Sequence, residues 1–195
     1  MSAPYEIIAA PFTAYLAAAN TAKPNVDTTP PVAWTKLGAN GADNYDEDGV
    51  HITHDQNVEM FRGLGRTGAM KVWRTEEMVS VEFTVYDLTS DQYAKMLNNQ
   101  TVTTVAAASG IPGAKKFNLN AGYDVTLVAL LLRGGYSPYG DSWNTQYWLP
   151  VCWQDGNPEP THKKGEPAGL KLSYKTIQDS SNGFGLYEAQ NATAL

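Results

Sequence analysis

The chain has 195 residues, with fourteen Lys and Arg against twenty Asp and Glu and a formal charge of −6. A face that grips phosphates needs a surplus of cations, so this balance argues against a nucleic-acid binder, while a wall that repels DNA remains compatible with it. Charged residues are scarce at 17%, whereas Gly (17), Tyr (11) and Pro (11) are plentiful, which favours short strands joined by turns over long helices.

Cys152 is the sole cysteine, so an internal disulfide and a cysteine zinc cluster are both excluded. It lies in the apolar run Tyr147 to Trp153, where a buried, inert thiol is expected. No signal peptide is expected at the N-terminus. The apolar run Val125 to Leu132 is far shorter than the roughly 20 residues of a membrane helix, so no membrane span is expected.

Residues 5–18 read as part of an extended N-terminal arm (about 1–20), interrupted by Pro11, which cannot donate to a ladder. A Thr-, Pro- and Asn-rich loop follows over 20–33, then the short apolar return Trp34 to Leu37, stopped by Gly38. Residues 39–49 form an acidic turn bearing Asp43, Asp46, Glu47 and Asp48, and a strand begins at His51. A long loop is expected at about 55–74, and the glycines of its 61–74 part make that part mobile in the free subunit and ordered on assembly. The clearest strand is Val79 to Val85: Val79, Val81, Phe83 and Val85 alternate with Ser80, Glu82 and Thr84. A helix is predicted at about 90–98, because Thr89 and Gln92 have capping-box spacing and Tyr93, Met96 and Leu97 share a face. Further strands are expected at 101–106, 114–119, 123–132, 145–153 and 169–177, with a long loop region spanning 133–168 around the fourth of them. The expected fold is a single mainly β domain over 1–195: two packed β-sheets, as a sandwich or partly closed barrel, with one flanking helix and long loops.

Gly63-Leu64-Gly65-Arg66-Thr67-Gly68 matches the dinucleotide-binding pattern by letter, but no helix is available after it to present amides to a pyrophosphate. His51 and His54 would face opposite sides of a strand, which prevents a shared metal, and His162 stands alone in a polar loop. No grouping of nucleophile, base and oxyanion donor is visible, so no catalytic residue, cofactor or metal is expected. Tyr136, Tyr139, Trp143, Tyr147, Trp148 and Trp153 crowd one stretch, which suits a core or interface and, less well, a sugar-stacking platform.

Several segments together resemble the major tail protein, or tail tube protein, of siphophages. They are the N-terminal arm, Trp34-Thr35-Lys36-Leu37-Gly38 with the acidic turn and Gly49-Val50-His51-Ile52-Thr53, the 61–68 loop, and Arg74-Thr75-Glu76-Glu77 leading into Val79-Ser80-Val81-Glu82-Phe83 and Asp87-Leu88-Thr89. The similarity covers residues 5–100, and residues 133–168 align with nothing general in that family. It implies a fold shared with the type VI secretion tube protein, and hexameric rings stacked into a tube through which double-stranded DNA passes without specific binding during genome ejection. It implies location in the virion tail, after assembly in the host cytoplasm. The implied partners are tape-measure, tail-terminator and baseplate or tail-tip proteins. Ser80, Glu82 and Thr84 are then expected to face the lumen, with Glu82 repeating as negative charge along it. Acidic Asp43, Asp46, Glu47 and Asp48 and basic Arg62, Arg66, Lys71 and Arg74 would supply complementary assembly contacts. The alternative is a carbohydrate- or receptor-binding β-sandwich module of a virion.

Overall fold

A computed structural model describes residues 6–191. It contains ten strands and one α-helix: β1 (Phe12–Ala18), β2 (Thr35–Lys36), β3 (His51–Phe61), β4 (Lys71–Val85), α1 (Ser90–Met96), β5 (Thr103–Val105), β6 (Ala114–Lys116), β7 (Val128–Gly134), β8 (Thr145–Gln154), β9 (Leu170–Thr176) and β10 (Leu186–Ala189). Eight strands make one antiparallel sheet in the order β2-β1-β7-β8-β9-β4-β3, with β10 paired to β8, and β5 and β6 form a separate small sheet. The architecture is mainly β with one helix and no closed barrel. Among the described residues, no helix is long and apolar enough to cross a membrane.

The large sheet curls so that its β1-β7-β8 half and its β9-β4 half face each other, and one core joins them. Val79, Val81, Phe83 and Val85 of β4 meet Leu130 and Leu132 of β7, Leu170, Leu172 and Tyr174 of β9, and Met96 of α1. Tyr45 ties the layers together. Its ring lies 5.2 Å from that of Phe83, its hydroxyl donates to Leu37 O at 2.8 Å, and it accepts from Ala14 N of β1 at 3.1 Å. The unbroken apolar run of β7 reflects burial on both faces: Val128, Leu130 and Leu132 enter this core, while Ala129 and Leu131 pack with Ala17, Trp34 and Trp148 on the other side. Helix α1 starts where the Thr89 side chain accepts from Gln92 N at 3.3 Å, and it buries Ala94 and Met96.

Three sequence expectations are corrected. Residues 12–18 of the expected arm are β1, an interior strand of the sheet, because its alternate side chains Ala14 and Leu16 are needed in the core; residues 1–5 lie outside the described residues. The expected loop at 55–74 is largely a β-hairpin, with β3 and β4 paired down to Phe61↔Lys71, so only 62–70 is a turn. Of the strand expected at 123–132, only the part from Val128 onward pairs, and it continues to Gly134.

The 20–33 loop is clamped onto the sheet by a polar network. Arg133 donates to Gln146 Oε1 and Asn25 O, each at 2.6 Å, and to Thr28 O. Gln146 is fully buried and donates through Nε2 to Pro24 O and Glu188 Oε2, each at 2.9 Å, while Lys23 reaches the same carboxylate at 2.6 Å. Burial alone would raise the Glu188 carboxyl, but hydrogen bonds from Lys23 and Gln146 and the charges of Lys23 and Arg133 outweigh it and hold the group below its usual range. The unfolded chain therefore takes up this proton first as pH falls. The stabilisation is present above the ordinary carboxylate range and is lost as pH drops through the lowered value. Urea unfolding at a series of pH values from neutral to acid should show this loss, and Glu188→Gln should flatten that part of the acid limb.

Candidate assembly surfaces and channel face

The β3–β4 hairpin outruns the sheet that anchors it. β9 covers β4 only from Ser80 to Val85, and every residue from Lys71 to Glu77 is exposed. At about 3.3 Å per residue, Lys71 to Val85 spans roughly 45 Å. The protruding half carries large apolar side chains on both faces, among charged and polar ones. Met60 pairs with Val72 on the face that continues the core side, while Phe61 and Trp73 lie on the opposite face, and Leu64 is fully exposed in the turn. Monomeric proteins rarely leave so much large apolar surface in one place without a partner. The glycine pattern at 63–68 forms this turn, with Arg66 N bonded to Gly63 O at 3.0 Å; a strand follows it, so the helix that a pyrophosphate site requires is lacking.

Arg62, Arg66 and Lys71 cluster at this tip and form no ion pair among the described residues. Arg74 differs from expectation: it bonds Glu77 at 3.2 Å and Gln56 at 2.9 Å, so its charge is answered within its own chain. The acidic residues occupy the other end of the hairpin. Asp43 lies in a 3-10 turn over Gly41–Asn44, Asp46 N bonds Thr84 O at 3.0 Å, and Glu47 and Asp48 follow. The two charge clusters are thus separated by the length of β4 and cannot neutralise each other in one molecule.

Ser80, Glu82 and Thr84 share the outer face of β4, half-buried, with His51 and Thr53 beside them on β3. Glu82 is not the isolated charge expected. Lys171 bonds it at 2.9 Å and, by that hydrogen bond first, holds its carboxyl below the usual range, with Ser173 and His51 adding to the effect. Lys175 is likewise bonded to Asp155 at 2.7 Å, and Ser80 to Asp55 at 3.2 Å. The face is polar with its cations paired. A depression of about 450 Å³ opens there, lined by Asp46, Asp48, His51, Glu82 and Lys171 among others. Among the described residues no group of three or more His, Cys, Asp or Glu could hold a metal ion. His54 pairs with Val79 and faces the other side from His51.

On the core side, the hairpin peels away from β10 and leaves a cleft of about 500 Å³ lined by His54, Glu77, Val79, Tyr147, Phe184 and Tyr187. The Tyr147 and Tyr187 rings meet at 4.8 Å. Gly185 lets β10 approach β8 closely, since a Cβ there would come within 2.4 Å of Trp148 O. Of the aromatic band, Trp148 is core, Trp143 and Trp153 are half-buried, and Tyr136 and Tyr139 are exposed. The apolar hairpin tip escaped the sequence reading. Its signal is the pair of runs Val58-Glu59-Met60-Phe61 and Met70-Lys71-Val72-Trp73 flanking a glycine-bearing turn.

No protein-family model matches this chain, and a search of curated proteins finds no match.

Proposed function

We propose that this chain is a structural subunit of a bacteriophage tail tube, assembling as stacked hexameric rings around a channel for double-stranded DNA. The observation that carries the reading is the hairpin: a long protrusion with large apolar side chains exposed on both faces and a basic tip, on a body whose opposite end is acidic. Such a molecule cannot satisfy its own surface, and a head-to-tail contact between copies does so. The polar outer face bearing Ser80, Glu82 and Thr84 suits a channel wall. Its lysines 171 and 175 are held by carboxylates, so a passing phosphate backbone meets no loose cation on that face to which it could bind. Tape-measure, tail-terminator and baseplate proteins would cap and fill such a tube.

Purified protein, concentrated under several salt conditions and viewed by negative-stain microscopy, should form rings or tubes of uniform diameter. A protein that stays folded and monomeric throughout would overturn the reading. A carbohydrate- or receptor-binding module is the second reading, favoured by the Tyr147–Tyr187 pair lining the cleft beside His54 and Glu77. It predicts a monomer that is retained on immobilised glycans and released when Tyr187→Ala removes the platform.

A further inference from the structure

The segment between α1 and β7 is the second part of the molecule that buries almost nothing. Every residue from 101 to 127 is exposed except Val102 and Phe117, which are half-buried. Ile111, Leu119, Tyr123 and Val125 stand among the large exposed apolar side chains, with Tyr123 fully exposed. The base of the segment is nonetheless built with care. Asn98, held at φ 51°, donates to Ala121 O and Asp124 O at 2.5 and 2.9 Å and accepts from Thr126 N at 2.7 Å. Phe117 packs edge-on against Tyr93 of α1 at 5.3 Å, and Lys115 bonds Asp91. A segment whose base is fixed while its apolar side chains face water is shaped for a partner, since ordering it is uncompensated by burial within its own chain.

Resting on the tube reading above, we propose that residues 101–127 form the surface that receives the hairpin tip of the next copy. Three observations select that occupant. First, the strand register sets the two surfaces well apart along β4. The tip closes β4 at Lys71, whereas α1 follows Val85, Asn98 bonds Gln154, which the register sets level with Val81, and the start of β7 is level with Val79. A shift of one copy along the strand axis therefore brings tip and segment together, and no folding-back within one chain can do so. Second, the turn flanking the segment is acidic where the tip is basic; the segment itself carries Lys115, answered by Asp91, Lys116 and Asp124. Arg62, Arg66 and Lys71 of the tip would approach the end that carries Asp43, Asp46, Glu47 and Asp48, and neither set has an ion-pair partner in its own chain among the described residues. Third, both surfaces offer large apolar side chains of similar extent: Met60, Phe61, Leu64 and Met70 on the tip, and the four named above on the segment. Contact between the two sets covers on each what its own fold leaves wet.

Cysteine cross-linking tests this directly, because the native thiol is silent: Cys152 is buried and its thiol is pushed up to about 12 by that burial. Leu64→Cys and Tyr123→Cys variants, purified separately, are mixed, concentrated and mildly oxidised. The expected result is a disulfide-linked pair that contains one copy of each variant, and laddered multimers when both cysteines sit in one chain. Rings or tubes that form without this cross-link, and without one between Leu64→Cys and Leu119→Cys, overturn the proposed contact and leave the tube reading standing. Absence of any assembly by the unaltered chain overturns both. A second measurement covers the case in which cysteine at the tip blocks assembly. Leu119→Ser/Tyr123→Ser, with an unchanged unfolding midpoint, should raise the critical concentration for assembly by about tenfold or more. Assembly of that variant at the wild-type concentration overturns the proposal.

Discussion

Deleting Leu64 to Thr67 is expected to leave a folded subunit that no longer polymerises. The four residues lie in the turn beyond the last β3–β4 pair and bury nothing in their own chain, so their loss should change unfolding free energy by no more than about 0.5 kcal/mol. Assembly is a different matter. Burying one leucine side chain contributes roughly 1.5–3 kcal/mol, and Arg66 leaves with it. At about 1.4 kcal/mol per decade, this weakens each contact by roughly ten- to a hundredfold, and in a ring every subunit suffers the same loss. Sedimentation velocity paired with circular dichroism reads both arms. Normal tubes from the deletion variant would remove the tip from any account of assembly, and an unfolded variant would show that the turn holds the body together.

Phe83→Ala should do the reverse and damage the fold itself. Phe83 is 2% exposed, its ring sits 5.2 Å from Tyr45 and 6.4 Å from Tyr174, and these three side chains bring β4, β9 and the β1 side of the core into contact. Truncating a buried Phe costs about 3–5 kcal/mol, and a domain has only about 5–15 kcal/mol in total. The urea midpoint should fall accordingly with little change in slope. A loss under about 1 kcal/mol would mean that the two layers do not depend on this contact. Phe83→Leu, which keeps most of the volume, should recover much of the difference.

What the sequence disclosed and what it hid divide along a physical line. The Val79–Val85 alternation, the Thr89 cap and the apolar run of β7 are local patterns, and the structure has a strand, a helix start and a doubly buried strand there. The hairpin was hidden because Gly63, Gly65 and Gly68 and scattered charges read as loop. Its strands have no buried face, so the periodicity that reveals half-buried strands is missing. The Arg133 clamp on the 20–33 loop joins residues more than a hundred apart, and no spacing rule reaches that far. The pairing of Glu82 with Lys171 is hidden in the same way, since only the β4–β9 register brings those residues together. The charged residues proposed for assembly were legible as clusters. That they stand at opposite ends of one strand was not.

The register shift in the hairpin bears on how such a surface can diversify by descent. Asn57 pairs with Glu76 and Val58 with Arg74, so Thr75 is an extra residue in β4, its hydroxyl bonded back to Asn57 O at 3.2 Å. A bulge bends its strand and adds local twist, so loss of this single codon would straighten the hairpin there without unpairing it. Arg74 would still stand opposite Val58 and Trp73 opposite Glu59, and the body from Glu76 upward would keep its pairing. One heritable step at a position that touches no core residue would thus aim the same tip in a different direction, toward a different part of the neighbour proposed above. Lineages could part company there, each stacking with its own kind, without any change in the domain that carries the tip.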